Sequence, residues 1–263
     1  MRVLLTNCVL MSDQSSTSED RFLGGQLILH QPLSGHRAGH DAILLAAATP
    51  ARAGNRVVEF GAGVGAAGLA LARRMGKIDL VLVEIDEQLA RLARTNAAAN
   101  AIEAAVLVED VTTTAARLTE VGLAPDSVDV VLMNPPFNHP SRHRPAKDES
   151  RRAAHMANTS TLEDWVATAR RLLKSGGILT LIWRADGLTE VVKALARGFG
   201  SLAMLPVHSD PAKPAIRLIV CAVKGGKGPT RIQPGLLLND AAGKPSEQAE
   251  TILAGGAGLQ LMV

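Results

Sequence analysis

The chain predicts an α/β domain built on a doubly wound, mostly parallel sheet, and three observations carry that expectation. From Asn55 onward, short runs rich in Val, Leu and Ile alternate with helical runs, as successive βαβ units require. A glycine turn, Gly61-Ala62-Gly63-Val64-Gly65, follows the first of these apolar runs and opens a helical one. The apolar run Val128 to Met133 stops abruptly at Asn134-Pro135-Pro136-Phe137, where two prolines without N–H donors allow neither helix nor sheet to continue. Asn134 is thereby held at the carboxyl edge of the sheet, where open α/β proteins place their ligands.

Composition fits that class and excludes others. Hydrophobic residues make up 47% and charged residues 20% of 263 positions, a globular balance that excludes general disorder. With four Phe, two Trp and no Tyr, the core must be filled by Leu, Val, Ile and Ala. A formal charge of +3 permits an anionic partner without requiring one. Cys8 and Cys221 fit no metal-ligand spacing, and His139, His143 and His155 are not spaced like a helix-borne pair, so no metal is expected; a reducing cytoplasm is the simplest setting. No stretch reaches the roughly 18 apolar residues of a membrane span.

Taken in order, residues 1–20 are expected to form a flexible tail without chemistry: Asn7 interrupts their apolar run and no cleavage pattern follows. The Gly24-Gly25 break predicts a short hairpin beginning near Phe22. After it comes the turn-rich stretch to Asp41, which either caps the helix Ala42 to Ala48 or, with Arg37, closes over a ligand. Strands follow at Arg56 to Phe60, Ile78 to Glu84, Ala105 to Glu109, Val128 to Met133, Ile178 to Trp183, Leu202 to His208 and Ile216 to Val223. The last two are expected to form an antiparallel pair. Helices are expected at Ala66 to Met75, Glu87 to Ala99 with Asn100 as a left-handed cap, Thr112 to Val121, Leu162 to Leu173 ended by Lys174-Ser175-Gly176-Gly177, and Leu188 to Arg197. Residues 21–223 then form one domain, and the Gly- and Pro-rich residues 224–263 an extension wrapped around it. Trp165 and Trp183 fall in apolar patterns and are read as core.

The glycine turn by itself does not separate two cofactors. Gly63-Val64-Gly65-Ala66-Ala67-Gly68 also satisfies the dinucleotide pattern, with Glu84 as a ribose-binding acid, so an NAD-dependent oxidoreductase or a nucleotide-binding module remains an alternative. Its neighbours favour S-adenosyl-L-methionine. Glu59, just before the glycines, suits a cationic amino-acid end better than a pyrophosphate. Asp110 follows the third strand, where a carboxylate can accept from an adenine amino group. Asn134-Pro135-Pro136-Phe137 faces the same cleft, and hydride transfer has no evident use for it.

On these residues the chain resembles the class I S-adenosyl-L-methionine-dependent methyltransferases, a Rossmann-like fold with a seven-stranded sheet. It is most similar to the bacterial tRNA(Val) adenine-N6 methyltransferase group. Further likeness lies in Gly35-His36-Arg37-Ala38-Gly39-His40-Asp41, Glu84-Ile85-Asp86, Leu162-Glu163-Asp164-Trp165, Lys213-Pro214 and Leu237-Leu238-Asn239-Asp240. Phe137-Asn138-His139 stands where the group usually has Tyr-Phe, and His155-Met156 where many relatives have His-Glu. A guanine-N2 of rRNA or a protein glutamine therefore remains an alternative acceptor.

The resemblance implies that Arg37, Asp41, Glu59, Gly61, Ala62, Gly63, Glu84, Ile85, Asp110, Val111 and Asn134 line the cofactor site. It implies that Asn134, Pro135, Pro136 and Phe137 hold the accepting base. The segment after the motif carries Arg142, Arg144, Lys147, Arg151 and Arg152 against Asp148 and Glu149, so the chain's basicity is concentrated beside that edge. A phosphate-rich substrate, an RNA and most simply a tRNA, is the expected partner.

Overall fold

Two strands ahead of the alternating region, β1 (Thr17–Phe22) and β2 (Leu27–Pro32), form an antiparallel hairpin closed by a 3-10 turn at Leu23–Gly25. The structure, a computed structural model, describes residues 17–34, 37–136 and 161–261. The hairpin corrects the sequence-based tail, because Thr17 to Asp20 pair with Leu29 to Pro32. The cause is polar and therefore hidden from an apolar pattern: Asp20 Oδ2 accepts from Gln31 Nε2 at 2.8 Å and from the Arg37 guanidinium.

The alternation continues through α1 (His40–Ala48), β3 (Arg56–Phe60), α2 (Ala66–Met75), β4 (Asp79–Glu84), α3 (Glu87–Ala99), β5 (Ala105–Val108), α4 (Ala115–Glu120) and β6 (Val128–Met133). A helix α5, described over 161–172, leads into β7 (Leu173–Arg184), α6 (Leu188–Leu195), β8 (Phe199–His208) and β9 (Ala215–Lys224). The C-terminal segment adds β10 (Arg231–Ile232), β11 (Leu236–Leu237) and α7 (Glu247–Leu253).

Strand order is β10-β8-β9-β7-β6-β3-β4-β5, with β11 also on β8. The expected seven strands are all present. The sheet reaches nine because β10 and β11 extend it beside β8. Only β9 runs against the others, between β7 and β8. The chain moves from β3 outward to β4 and β5, then returns to β6 on the other side of β3. That reversal puts the crevice between β3 and β6. Buried side chains alternate along the strands into two cores. Val57, Leu80, Leu82 and Leu132 face α1, α2 and α7, while Val58, Phe60, Val81 and Val131 face the side of α5 and α6.

Several boundaries differ for local reasons. Helix α4 starts three residues late: Asp110 Oδ1 accepts from Thr112 N and Oγ1 at 2.7 Å, forming a turn, and Thr114 caps the helix instead. Asn100 is not left-handed (φ −100°); Ala101, at φ 52°, takes that conformation. Residues 174–177 do not simply end a helix. They bulge within β7, between Leu173 paired to Val128 and Ile178 paired to Val130. Helix α7 went unforeseen; Ser246 caps it through Ala249 N, within a stretch otherwise rich in glycine and proline. Both tryptophans are buried as expected, Trp183 fully. No helix among the described residues is long and apolar enough to cross a membrane.

Asn96 and Asn100 explain how the hairpin is held. Asn96 is fully buried, accepts from His30 N at 2.7 Å and donates to His30 O and Val64 O. Asn100 exchanges the same pair of bonds with Ile28. Two amide side chains on one helix thus replace a neighbouring strand. Asn96→Ala leaves buried backbone groups without partners, and an unmet buried group costs about 1–3 kcal/mol. Urea unfolding is expected to show a loss of about 3 kcal/mol; a loss below about 0.5 kcal/mol contradicts the clamp.

Candidate active site

Because β6, β3, β4 and β5 are consecutive neighbours, the residues at their carboxyl ends form a row along one edge. Asn134 stands at the end of β6, the glycine turn at β3, Glu84 at β4 and Asp110 just beyond β5. At about 4.8 Å per strand the row spans roughly 14 Å. That suits an elongated ligand laid across the edge.

The turn is built by divided labour. Gly61 (φ 60°) admits the Trp165 indole, whose nearest carbon would lie 2.5 Å from a Cβ at that position. Trp165 also meets Phe60 edge to face, with ring centroids 6.2 Å apart. Gly63 (φ 55°) has no atom of the described residues within 4 Å of where a Cβ would stand, so among them open space lies over it. Its N–H donates to Glu84 Oε2 at 2.7 Å, which ties the turn to the end of β4. Ala62 N–H donates to Val83 O, fixing the same junction through backbone.

Glu84 is 6% exposed and is gripped from both sides, since its Oε1 accepts Asp86 N–H at 2.9 Å. Asp86 in turn caps α3 through Gln88 and Leu89. Ionised carboxylate oxygens have about four lone-pair sites together, so these two bonds leave acceptor capacity for a diol. Beside it Ile85 is 66% exposed at the edge, free to pack on a flat ring. Asp110 Oδ1 is occupied by Thr112, and no described residue bonds its Oδ2. Val111 is buried against the α4 side of the core, so its side chain does not reach the edge.

Glu59 lies beneath the turn, 5% exposed, with Oε2 accepting Gly68 N–H at 2.7 Å. Burial pushes its carboxyl up to about 8, against the N–H groups of Gly68 and Ala67, with Glu84 adding to the rise. From near 4.5 to about 8 the folded chain holds a proton that the unfolded chain has released. Stability therefore falls as pH rises through that window and levels off above it. Glu59→Gln is expected to remove a slope of at most about 1.4 kcal/mol per pH unit in urea titrations. An unchanged slope contradicts the assignment.

Asn134 is half-buried, and its Oδ1 is a buried acceptor with no hydrogen-bond partner among the described residues. Such an atom is costly unless a ligand satisfies it. Pro135 is buried and Pro136 exposed. Phe137, Arg142, Arg144, Lys147, Arg151 and Arg152 lie outside the described residues.

Arg37 and Asp41 depart from both expectations. Arg37 donates to Pro32 O at 2.7 Å and pairs with Asp20, which holds it on the hairpin. Asp41 caps nothing: Gly39 is the cap of α1, and Asp41 Oδ2 binds Arg217 Nε of β9 at 2.8 Å. Each charge is matched by a protein partner rather than left to a ligand. Trp165 was missed as part of the site. The only signal for its place was the stretch Leu162-Glu163-Asp164-Trp165, which composition alone reads as core. Among the described residues no group of His, Cys, Asp and Glu could hold a metal ion. Cys221 is buried, and desolvation pushes its thiol up to about 12, which makes it inert.

Comparison with known proteins gives the family. Residues 34–208 match the methyltransferase small domain family. The chain is 29% identical over 205 residues to a tRNA1(Val) (adenine(37)-N6)-methyltransferase of Porphyromonas gingivalis, covering 76% of this chain and 79% of that protein. It is 32% identical over 142 residues to a ribosomal RNA small subunit methyltransferase C of Pseudomonas syringae, covering 54% of this chain and 36% of that longer protein. A solved structure from Agrobacterium tumefaciens, described as a predicted O-methyltransferase, superposes with a TM-score of 0.70 at 30% identity, covering 83% of this chain and 98% of that one.

Proposed function

The chain belongs to the methyltransferase small domain family, and from that membership we propose that it methylates an exocyclic amino group of a nucleobase in RNA, adenine N6 of a tRNA. The oxidoreductase alternative falls with the membership. The observation that carries the reading is the orphaned Asn134 Oδ1 at the β3–β6 crevice, beside the open space over Gly63.

The cofactor is S-adenosyl-L-methionine, and the residues fit it. Glu84 and Asp110 present acceptors in a row to ribose hydroxyls and an adenine amino group, with Ile85 against the ring. Gly63 leaves room for close approach, and Glu59, protonated at neutral pH beneath the turn, supports the turn through Gly68 N–H rather than offering a charge to the cofactor. When bound, the cofactor supplies a methyl group on a cationic sulfur.

What remains is to orient the acceptor. An exocyclic amino nitrogen is a poor nucleophile because its lone pair is delocalised into the ring. Asn134 Oδ1 and the Pro135 carbonyl accept hydrogen bonds from its two N–H groups and favour a pyramidal nitrogen with the lone pair exposed. Phe137 stacks on the base and fixes its direction. Positioning and electrostatics then supply much of the rate. No general base is required before attack, since the proton becomes acidic only afterwards.

The adenine and tRNA assignment rests on the P. gingivalis relative, which covers most of both chains, whereas the rRNA relative covers about a third of its own length. The basic residues 142–152 supply attraction for a polyanion, and the cytoplasm supplies the RNA. Residues 21–223, together with Thr17–Asp20 of the hairpin, act as the methyltransferase unit in this reading, with 224–261 packed on it. The test is transfer of labelled methyl from S-adenosyl-L-methionine to bulk RNA and to protein in parallel. Nuclease-sensitive label is expected; label released only by protease refutes the RNA acceptor.

A further inference from the structure

A second cleft opens at the opposite, amino-terminal edge of the sheet, with a volume of about 650 Å³. Asp129 of β6 lines it, and Asn134 lies five positions further along the same chain segment. At about 3.3 Å per residue the two sites are roughly 16 Å apart. The methyl-transfer site makes no use of this cleft.

Its lining is cationic. Arg52, Lys174 and Arg231 contribute three positive side chains against the one carboxylate of Asp129. Lys174 Nζ binds Asp129 Oδ1 at 2.6 Å. Burial opposes the ionised form of Asp129, but Lys174 and the Arg56 N–H outweigh it and hold the carboxyl below its ordinary range. Lys174 is thus largely neutralised. Arg52 and Arg231 are exposed, and neither has an ion-pair partner among the described residues. Two unmatched guanidiniums lining one concave surface repel each other, and an anion between them removes that repulsion.

The wall is also fixed in place. Ser201 adopts φ 50°, an unfavourable conformation for a non-glycine residue, where the β8–β9 register shifts. Its Oγ accepts Gly228 N–H at 2.9 Å, and Gln233 N–H donates to Met204 O at 2.7 Å while its Nε2 ties Leu261 O to the same segment. The C-terminal segment is thereby clamped to β8, with Arg231 and the buried Leu261 in the cleft. On the facing side, the bulge 174–177 contributes Ser175 as a further polar group.

We propose that this cleft binds a phosphate group, either in the backbone of the RNA substrate or as a free phosphate species. The binding chemistry stands on the cleft's own residues; only the RNA source rests on the proposed function. Guanidiniums match phosphate oxygens with paired N–H donors, and the Lys174 ammonium and serine hydroxyls supply further donors.

The test uses the full chain and the double variant Arg52→Gln/Arg231→Gln, both exposed positions. Anisotropy titrations with bulk tRNA across about 50–200 mM salt are expected to show at least about 10-fold weaker binding in the variant. The slope of log affinity against log salt should fall by about 1 to 2, since each phosphate contact contributes about 0.7–0.9. Binding of S-adenosylhomocysteine should not change. In parallel, inorganic phosphate, against chloride at equal ionic strength, is expected to shift the Arg52 and Arg231 Nε–Hε resonances. If the native chain binds no tRNA yet phosphate shifts both resonances, the RNA reading fails and the cleft stands as a free-phosphate site. The same assignment follows if tRNA affinity is unaltered in the variant but both resonances move. Unaltered tRNA affinity and slope, together with no phosphate-specific shift, overturn the proposal.

Discussion

Asn134→Ala is expected to lower methyl transfer by about 10²- to 10³-fold while leaving S-adenosylhomocysteine affinity within a few fold. The asymmetry follows from its surroundings. The Oδ1 acceptor has no partner among the described residues, so its removal breaks no bond to any of them and should not unfold the edge. What disappears is the acceptor proposed to face the reacting amino group. Retained turnover would remove Asn134 from its role. A parallel collapse of homologue binding would instead make it a cofactor-holding residue. Calorimetric titration with S-adenosylhomocysteine beside single-turnover kinetics separates the two.

The second large effect is expected at Glu84, with the opposite signature. Its two oxygens hold Gly63 N–H at 2.7 Å and Asp86 N–H at 2.9 Å, so the side chain shapes the turn in addition to its proposed part in binding the ribose. Glu84→Ala leaves both donors unmet, at about 1–3 kcal/mol each, and removes the acceptor for the ribose. S-adenosylhomocysteine affinity is expected to fall by at least about 10²-fold, accompanied by a lower unfolding midpoint. Glu84→Gln keeps one acceptor oxygen and should fall between the two. Alanine binding the homologue as tightly as the native chain contradicts the assignment.

The parts of the site readable from sequence are those marked by local stop signals. Two prolines after an apolar run fix Asn134 at a strand end, and glycines after another fix the turn. Glu84 follows from the position of the next strand. What stayed hidden depends on partners distant in the chain. Asp41 reads as a helix cap until Arg217, 176 residues later, is brought beside it. Asn100 reads as a left-handed terminus, yet its amide serves Ile28, 72 residues earlier. Gly61 reads as room for a ligand, although the Trp165 indole occupies that side. In the C-terminal segment, two-residue strands and a seven-residue helix are too short for any periodicity to show.

The proposed acceptor, an amino group on a flat ring, is supported by the unpartnered Asn134 Oδ1 at the carboxyl edge, and the choice of ring rests on the relatives. Nucleoside analysis of bulk tRNA by mass spectrometry, after incubation with the enzyme and deuterated S-adenosyl-L-methionine, addresses both at once. The account predicts deuterated N6-methyladenosine, lost with Asn134→Ala. N2-methylguanosine would preserve the chemistry and overturn the adenine assignment; label on a ribose oxygen, or none in any nucleoside, would contradict the account itself.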